Sequence, residues 1–279
     1  MEEIRGDALM HWVLQENIFR EEAYDALIDV LRRFEIPFSE HTVIPFVGEL
    51  MPEPDLSGES AVICIGSYSM RHSARKFGWT PGVFDIEDQD FRVQLERWGD
   101  HMLNGDSVVV PFKDVVWPAD EDRFVRPIHD SKVFAGKMFE WKDFNEWQHK
   151  VCVLEEDYGD SLTANTIVQV ADPKKIYAEY RCWVVDGKIV TMSQYKIGDK
   201  VQYTNMDDPI GDDARNFAYE MMKIWSPHEA YCLDVCSTPD GWKIVEINTL
   251  NSCGFYAANL TSLVLALEDY GNYIVAELS

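Results

Sequence analysis

The chain has 279 residues, 46% of them apolar and 13% aromatic, with a formal charge of −24 from 49 acidic and 25 basic side chains. That length and apolar content predict a globular protein with a substantial core and exclude a disordered acidic tail. The spread of negative charge argues against a nonspecific polyanionic partner, so neither nucleic acid nor membrane is expected.

In chain order, His11–Gln15 reads as a strand, and residues 21–34 place Tyr24, Leu27, Ile28, Leu31 and Phe34 on one helical stripe. Pro37 ends that helix and an extended piece is expected over Thr42–Val47. After the Pro- and Gly-rich stretch 52–59, Ala61–Ile65 is a continuous apolar run typical of a buried parallel strand. The Gly66-Ser-Tyr-Ser69 that follows is read either as a plain turn or as an anion site at a helix start. This alternation predicts a small α/β domain over residues 1–105.

A second domain is expected over residues 106–279. Its strand-like runs are Ser107–Val110, Phe124–Pro127, Val133–Phe139 and Thr166–Val170, with a polar turn at His129–Lys132 and a short helix at 142–150. Asp186-Gly187 between Tyr180–Val185 and Lys188–Met192 is a strong hairpin signal, because a type I′ turn needs positive φ at both positions. Helical spacing returns at 214–225 and at 257–268, where Leu260, Val264 and Leu267 share a side.

The densest chemistry lies in Tyr231–Asn248, which reads as a hairpin around Pro239-Asp240-Gly241. A three-residue loop with a bulge pairs Thr238 with Trp242 and sets Asp234 opposite Glu246, with Asn248 on the same face. Facing carboxylates repel unless a cation lies between them. Either this is a solvated acidic sheet face or it is half of a metal–nucleotide site. Taken singly, Arg126 reads as a surface ion-pair partner and Arg181 as a cross-strand charge. Taken in order, Arg126, Lys132, the apolar strand 166–170, Arg181, Asp234, Glu246 and Asn248 supply what a nucleoside triphosphate requires: cations for phosphate, an apolar strand for a base and carboxylates for Mg²⁺.

In Glu179-Tyr-Arg-Cys-Trp-Val-Val-Asp-Gly187 and Asp234…Glu246-Ile-Asn248 the chain resembles the ATP-grasp superfamily over roughly residues 106–270. It is most similar to a small clade, common in phages and some bacteria, with Arg rather than Lys on the first phosphate-binding strand. The resemblance implies an α+β ATP-grasp fold, two subdomains clasping ATP behind a small α/β domain. It makes Asp234, Glu246 and Asn248 Mg²⁺ ligands and has Arg126, Lys132 and Arg181 meet phosphate, with Lys137, Tyr195 and Lys196 as weaker additions. It makes Thr166–Ala171, with Gln169 and Val170, the strand that reads adenine. The loop 249–256 would then face the acceptor, offering Asn251, Ser252 and the close approach of Gly254.

The implied activity is ATP- and Mg²⁺-dependent ligation of a carboxylate to an amine through an acylphosphate, with Arg181 and Lys132 as catalytic residues and small-molecule or peptide substrates. Two alternatives stay open, a phosphotransferase on the same fold and an acidic decoy without turnover. The six cysteines form no CxxC pair and read mostly as buried small hydrophobes. Cys253 has no neighbouring His and is not assigned as a nucleophile. The polar N-terminus and reduced thiols lead to the expectation of a cytoplasmic protein of the bacterial or phage-infected cell, with a homodimer open.

Overall fold

The computed structural model describes residues 9–16, 22–45, 47–56, 58–128, 134–153, 162–207 and 212–278. The described residues form three sheets that follow one another along the chain.

The first sheet has order β3-β2-β1-β4-β5, from β1 (His11–Gln15), β2 (Phe38–Val43), β3 (Leu50–Met51), β4 (Ala61–Ile65) and β5 (Thr80–Gly82). The central β1 runs parallel to both β2 and β4. Its Val13 is fully buried between the apolar strands, and α1 (Glu22–Arg33) covers one face with Leu27, Ile28 and Leu31. The second strand lies earlier than the expected Thr42–Val47. It starts at Phe38, directly after Pro37, and ends before Pro45, which has no N–H to offer a ladder. The opposite face is closed by α2 (Arg71–Phe77) and the residues flanking it, through Met70, Ala74 and Trp79.

The second sheet is antiparallel with order β6-β9-β7-β8, from β6 (Val108–Pro111), β7 (Asp122–Pro127), β8 (Lys137–Glu140) and β9 (Ile167–Ala171). Its core with α4 (Trp141–Val153) is an aromatic cluster that includes Phe112, Phe139, Phe144 and Trp147. β8 begins at Lys137, later than the expected Val133. Phe134–Gly136 is not strand, and a Cβ on Gly136 would stand 2.7 Å from the Phe124 ring.

The third sheet is antiparallel with order β12-β11-β10-β13-β14, from β10 (Ala178–Val185), β11 (Lys188–Ile197), β12 (Lys200–Asn205), β13 (Ala230–Thr238) and β14 (Gly241–Thr249). Asp186 and Gly187 have φ of 49° and 68°, so the expected turn is present. α3 (Phe91–Trp98) and α5 (Asp212–Ile224) pack on one face of this sheet. The last helix, α6 (Leu260–Leu278), is longer than the expected 257–268. Asn259 caps it, its Oδ1 accepting from Ser262 N at 3.2 Å. α6 sends Leu263, Val264 and Leu267 into the core that also holds Trp12, Leu31 and Trp183, joining the first and third sheets. Glu268 accepts from Met10 N and Trp12 Nε1 at 3.0 and 2.5 Å and fixes that contact. No helix of the described residues is long and apolar enough to cross a membrane.

Candidate active site

The β13–β14 hairpin sets the site. Its turn is Pro239-Asp240, two residues instead of the expected three, with Thr238 opposite Gly241. A bulge between Asp234 and Val235 restores the register, leaving Val245 extra on β14 and Asp234 opposite Glu246. On the other side of β13, Asp234 stands opposite Arg181 of β10, which is opposite Ser193 of β11. Arg181, Asp234 and Glu246 therefore form one charged row across three strands.

Each carboxylate has its own arginine. Arg181 forks onto Asp234, Nε to Oδ1 at 2.7 Å and Nη2 to Oδ2 at 2.6 Å, with both side chains buried. Arg126, reaching over from β7, donates from Nη1 to Glu246 Oε2 at 2.7 Å. Asn248 Nδ2 donates to Glu246 Oε1 at 3.1 Å and more weakly to Asp234 Oδ2 at 3.4 Å. Burial pushes Asp234 up to about 6 against the pull of its guanidinium. Burial acts the same way on Glu246, but Arg126, Asn248 and Arg181 outweigh it and leave that carboxyl below its usual range. For Arg181, burial disfavours the charge and Asp234 more than restores it.

The row opens into a cavity of about 980 Å³ between the second and third sheets. Arg126, Lys137, Arg181, Tyr195, Lys196, Asp234 and Glu246 all line it. Lys132 lies outside the described residues. Asn248 contacts the two carboxylates without lining the cavity itself.

Gln169 and Val170 sit elsewhere. Their strand runs between β6 and β7, so its backbone groups are already paired on both sides, and both side chains are buried. Gln169 Oε1 accepts from Ser107 Oγ at 3.4 Å. The cavity wall begins just beyond the strand, at Asp172, Lys174 and Ile176. Asn251 is also placed away from the expected acceptor face. It is fully buried, its carbonyl accepts from Gly66 N at 2.8 Å, and its side-chain amide has no hydrogen-bond partner among the described residues. The thiols of Cys232 and Cys253 lie 3.0 Å apart in the core beneath the row.

Two lining residues, Glu179 and Tyr256, were given no role from sequence. Glu179, buried on β10, accepts from Tyr195 Oη at 2.9 Å and Lys196 Nζ at 2.8 Å. Tyr256 stacks against both Tyr195 and Tyr203. A tyrosine one residue beyond Gly254-Phe255 looks in sequence like any other core aromatic, and only the Glu179-Tyr-Arg181 spacing pointed to the glutamate.

The donor set fits a hard divalent ion. Mg²⁺ is commonly held by one or two carboxylates, with phosphate oxygens and water completing its shell. Among the described residues no cluster of three or more acidic, His or Cys side chains is arranged to hold a metal. Asp234 and Glu246 supply two carboxylates, and turning the Asn248 amide over would present its oxygen.

A four-stranded sheet and a five-stranded antiparallel sheet closing on a row of arginines and carboxylates define an ATP-grasp protein. The model of an ATP-grasp domain family, the third family of its clade, matches residues 67–267, and the chain belongs to that family. Among solved structures, the fold is similar to a RimK domain ATP-grasp protein from Sphaerobacter thermophilus DSM 20745, with TM-score 0.58 and 14% identity over 93% of this chain and 98% of that one. It is also similar to a D-alanine–D-alanine ligase from Bacillus anthracis complexed with ATP, with TM-score 0.60 and 12% identity over 98% and 100%. The ATP-grasp ligase PsnB, complexed with a precursor peptide and AMPPNP, gives TM-score 0.56 and 12% identity over 97% and 100%. No curated protein sequence matches the chain.

Proposed function

We infer that this protein is an ATP- and Mg²⁺-dependent carboxylate–amine ligase. The observation that carries the reading is the charged row Arg181–Asp234–Glu246, met by Arg126 from the facing sheet inside one cavity. In this scheme a substrate carboxylate takes the terminal phosphoryl group, ADP leaves, and an amine then displaces phosphate to give an amide. Bound Mg²⁺ and ATP supply the phosphoryl group and the counter-charge for its transfer.

The chain's residues supply position and charge. Asp234 and Glu246, with the Asn248 oxygen, are the metal ligands. Arg126 and Arg181 pair with these carboxylates and would turn to phosphate oxygens were a cation to take their place. Lys132, from the β7–β8 connection, and less directly Lys137, at the start of β8, add positive charge. Adenine is assigned to the end of β9, where the strand of Gln169 and Val170 runs into Asp172 and Ile176. The acid and the amine fall to the first 105 residues and the loop 249–256. That the similar PsnB was captured with a peptide, and another similar protein is a ligase named for D-alanine, supports substrates in the range from amino acids to peptides.

The test is product analysis. Incubation with ATP, Mg²⁺ and a panel of amino acids and peptides is expected to release phosphate only when an acid and an amine are both present, with an amide formed. A phosphorylated substrate accumulating without an amine requirement would replace this reading with phosphotransfer.

A further inference from the structure

The most strained described residue near the site is Tyr256. It is not glycine, yet its φ is 49°, a conformation that costs a bulky side chain of the order of 1–3 kcal/mol and persists only where its surroundings enforce it. Here the surroundings do. Ala257 N donates to Ser193 Oγ at 3.2 Å, and Ala257 O accepts from Asn205 Nδ2 at 2.9 Å. Two residues on, Asn259 N donates to Thr191 Oγ1 at 2.8 Å. These bonds bolt the loop to β11 and β12 and turn the Tyr256 ring over the charged row.

What the strain secures is the position of that ring. It stacks against Tyr195 and against Tyr203, with centroids 5.0 and 4.9 Å away and planes within 26° and 29°. The Arg181 guanidinium carbon sits 4.8 Å from the Tyr256 centroid and 5.9 Å from that of Tyr195. Arg181 is thus held by its edge on Asp234 and by its face on an aromatic stack. Its remaining nitrogen, Nη1, makes a long, 3.5 Å contact with Gly254 O. If a cation takes Asp234, the edge contact goes and the aromatic face is what remains.

We propose that Tyr256 is a positioning residue that holds the Arg181 guanidinium in place when Asp234 is given over to the cation, so that Arg181 reads the terminal phosphates. The proposal rests on the nucleotide-site reading above. Its mechanism is the attraction between a cation and an aromatic face, which is strongest where water is excluded.

The test compares the affinities of Mg²⁺·ATP and of AMP by calorimetry, on wild type, Tyr256→Asn and Tyr256→Phe. Asn tolerates positive φ and removes the aromatic face, so the loop keeps its path. Tyr256→Gly serves the same purpose if the Asn variant does not fold. In Tyr256→Asn the affinity for ATP is expected to fall about tenfold while that for AMP, which lacks the terminal phosphates, is unchanged. Tyr256→Phe keeps the face and is expected to restore ATP binding.

Unchanged ATP affinity in Tyr256→Asn overturns the proposal. So does an equal loss for ATP and AMP, which marks a general structural role, and so does a Phe variant as weak as the Asn one. A wild type that binds neither nucleotide overturns the nucleotide reading itself, and this proposal with it.

Discussion

Asp234 and Glu246 face each other across the β13–β14 ladder, and each is neutralised by a separate arginine, Arg181 from the neighbouring strand and Arg126 from the opposite sheet. Two adjacent carboxylates, Asp234 buried and Glu246 partly so, repel, and these two cations offset that repulsion. A divalent ion entering between the carboxylates would free both arginines at the place where phosphate charge arrives.

Replacing Glu246 with Ala is expected to abolish the thermal stabilisation produced by ATP plus Mg²⁺ while leaving the ligand-free protein folded, because Glu246 lies at the cavity edge rather than in a core cluster. Saturation a hundredfold above Kd contributes about 2.7 kcal/mol to a wild type that binds only when native. Melting curves with ATP plus Mg²⁺, ATP plus EDTA and GTP check this. A variant that still shifts as wild type does would remove Glu246 from the metal set.

Arg181→Leu leaves Asp234 buried without its cation and is expected to cost about 3–5 kcal/mol of stability. Arg181→Leu with Asp234→Leu removes both charges and is expected to recover a large part of that loss, a non-additivity that urea denaturation of the two single variants and the double variant measures.

The affinity for Mg²⁺·ATP is expected to fall as pH drops below about 6, where Asp234 takes up its proton. The folded pKa lies above the ordinary value of 3.8, so the native protein holds the extra proton between those two values. The group's contribution to stability in the ligand-free chain is therefore lost as pH rises through that window, while its capacity to bind a cation grows. Calorimetric titrations from pH 5 to 8 on wild type and Asp234→Asn isolate the effect, and the variant should lack the Asp234 component of the profile.

Gly136→Ala should weaken ATP binding several-fold. The added Cβ would stand 2.9 Å from the Cβ of Arg126 and 2.7 Å from the Phe124 ring, and an atom so near the β7 backbone has little freedom to yield. Calorimetry with ATP, alongside a melting curve of the ligand-free variant, separates a displaced Arg126 from a general loss of stability.

Much of this molecule was legible in local chemistry. The Asp186-Gly187 turn, the helical stripe of α1 and the buried run at β4 follow from backbone preference and hydrophobic period, which act over a few residues. The facing of Asp234 and Glu246 was also readable, although by a different route than the sequence suggested. The extra residue expected in the turn sits instead at Val245, and either position yields the same count along the ladder. The family pattern then tied Arg126, Arg181, Asp234 and Glu246 together.

Tertiary structure alone decided the rest. Arg126 and Glu246 are 120 positions apart, and nothing local marks one as the other's partner. Gln169 was expected to meet a ligand, but the pairing of β9 on both sides commits its backbone to the sheet. α6, at the far end of the chain, closes the first sheet, and Tyr256 comes to stand over Arg181 because Ser193, Asn205 and Thr191 hold its loop. Backbone propensity and side-chain period are properties of short segments and can be read one segment at a time. Which charges meet, and which aromatic ring holds them, depends on how whole sheets pack, and that is fixed only when the chain folds.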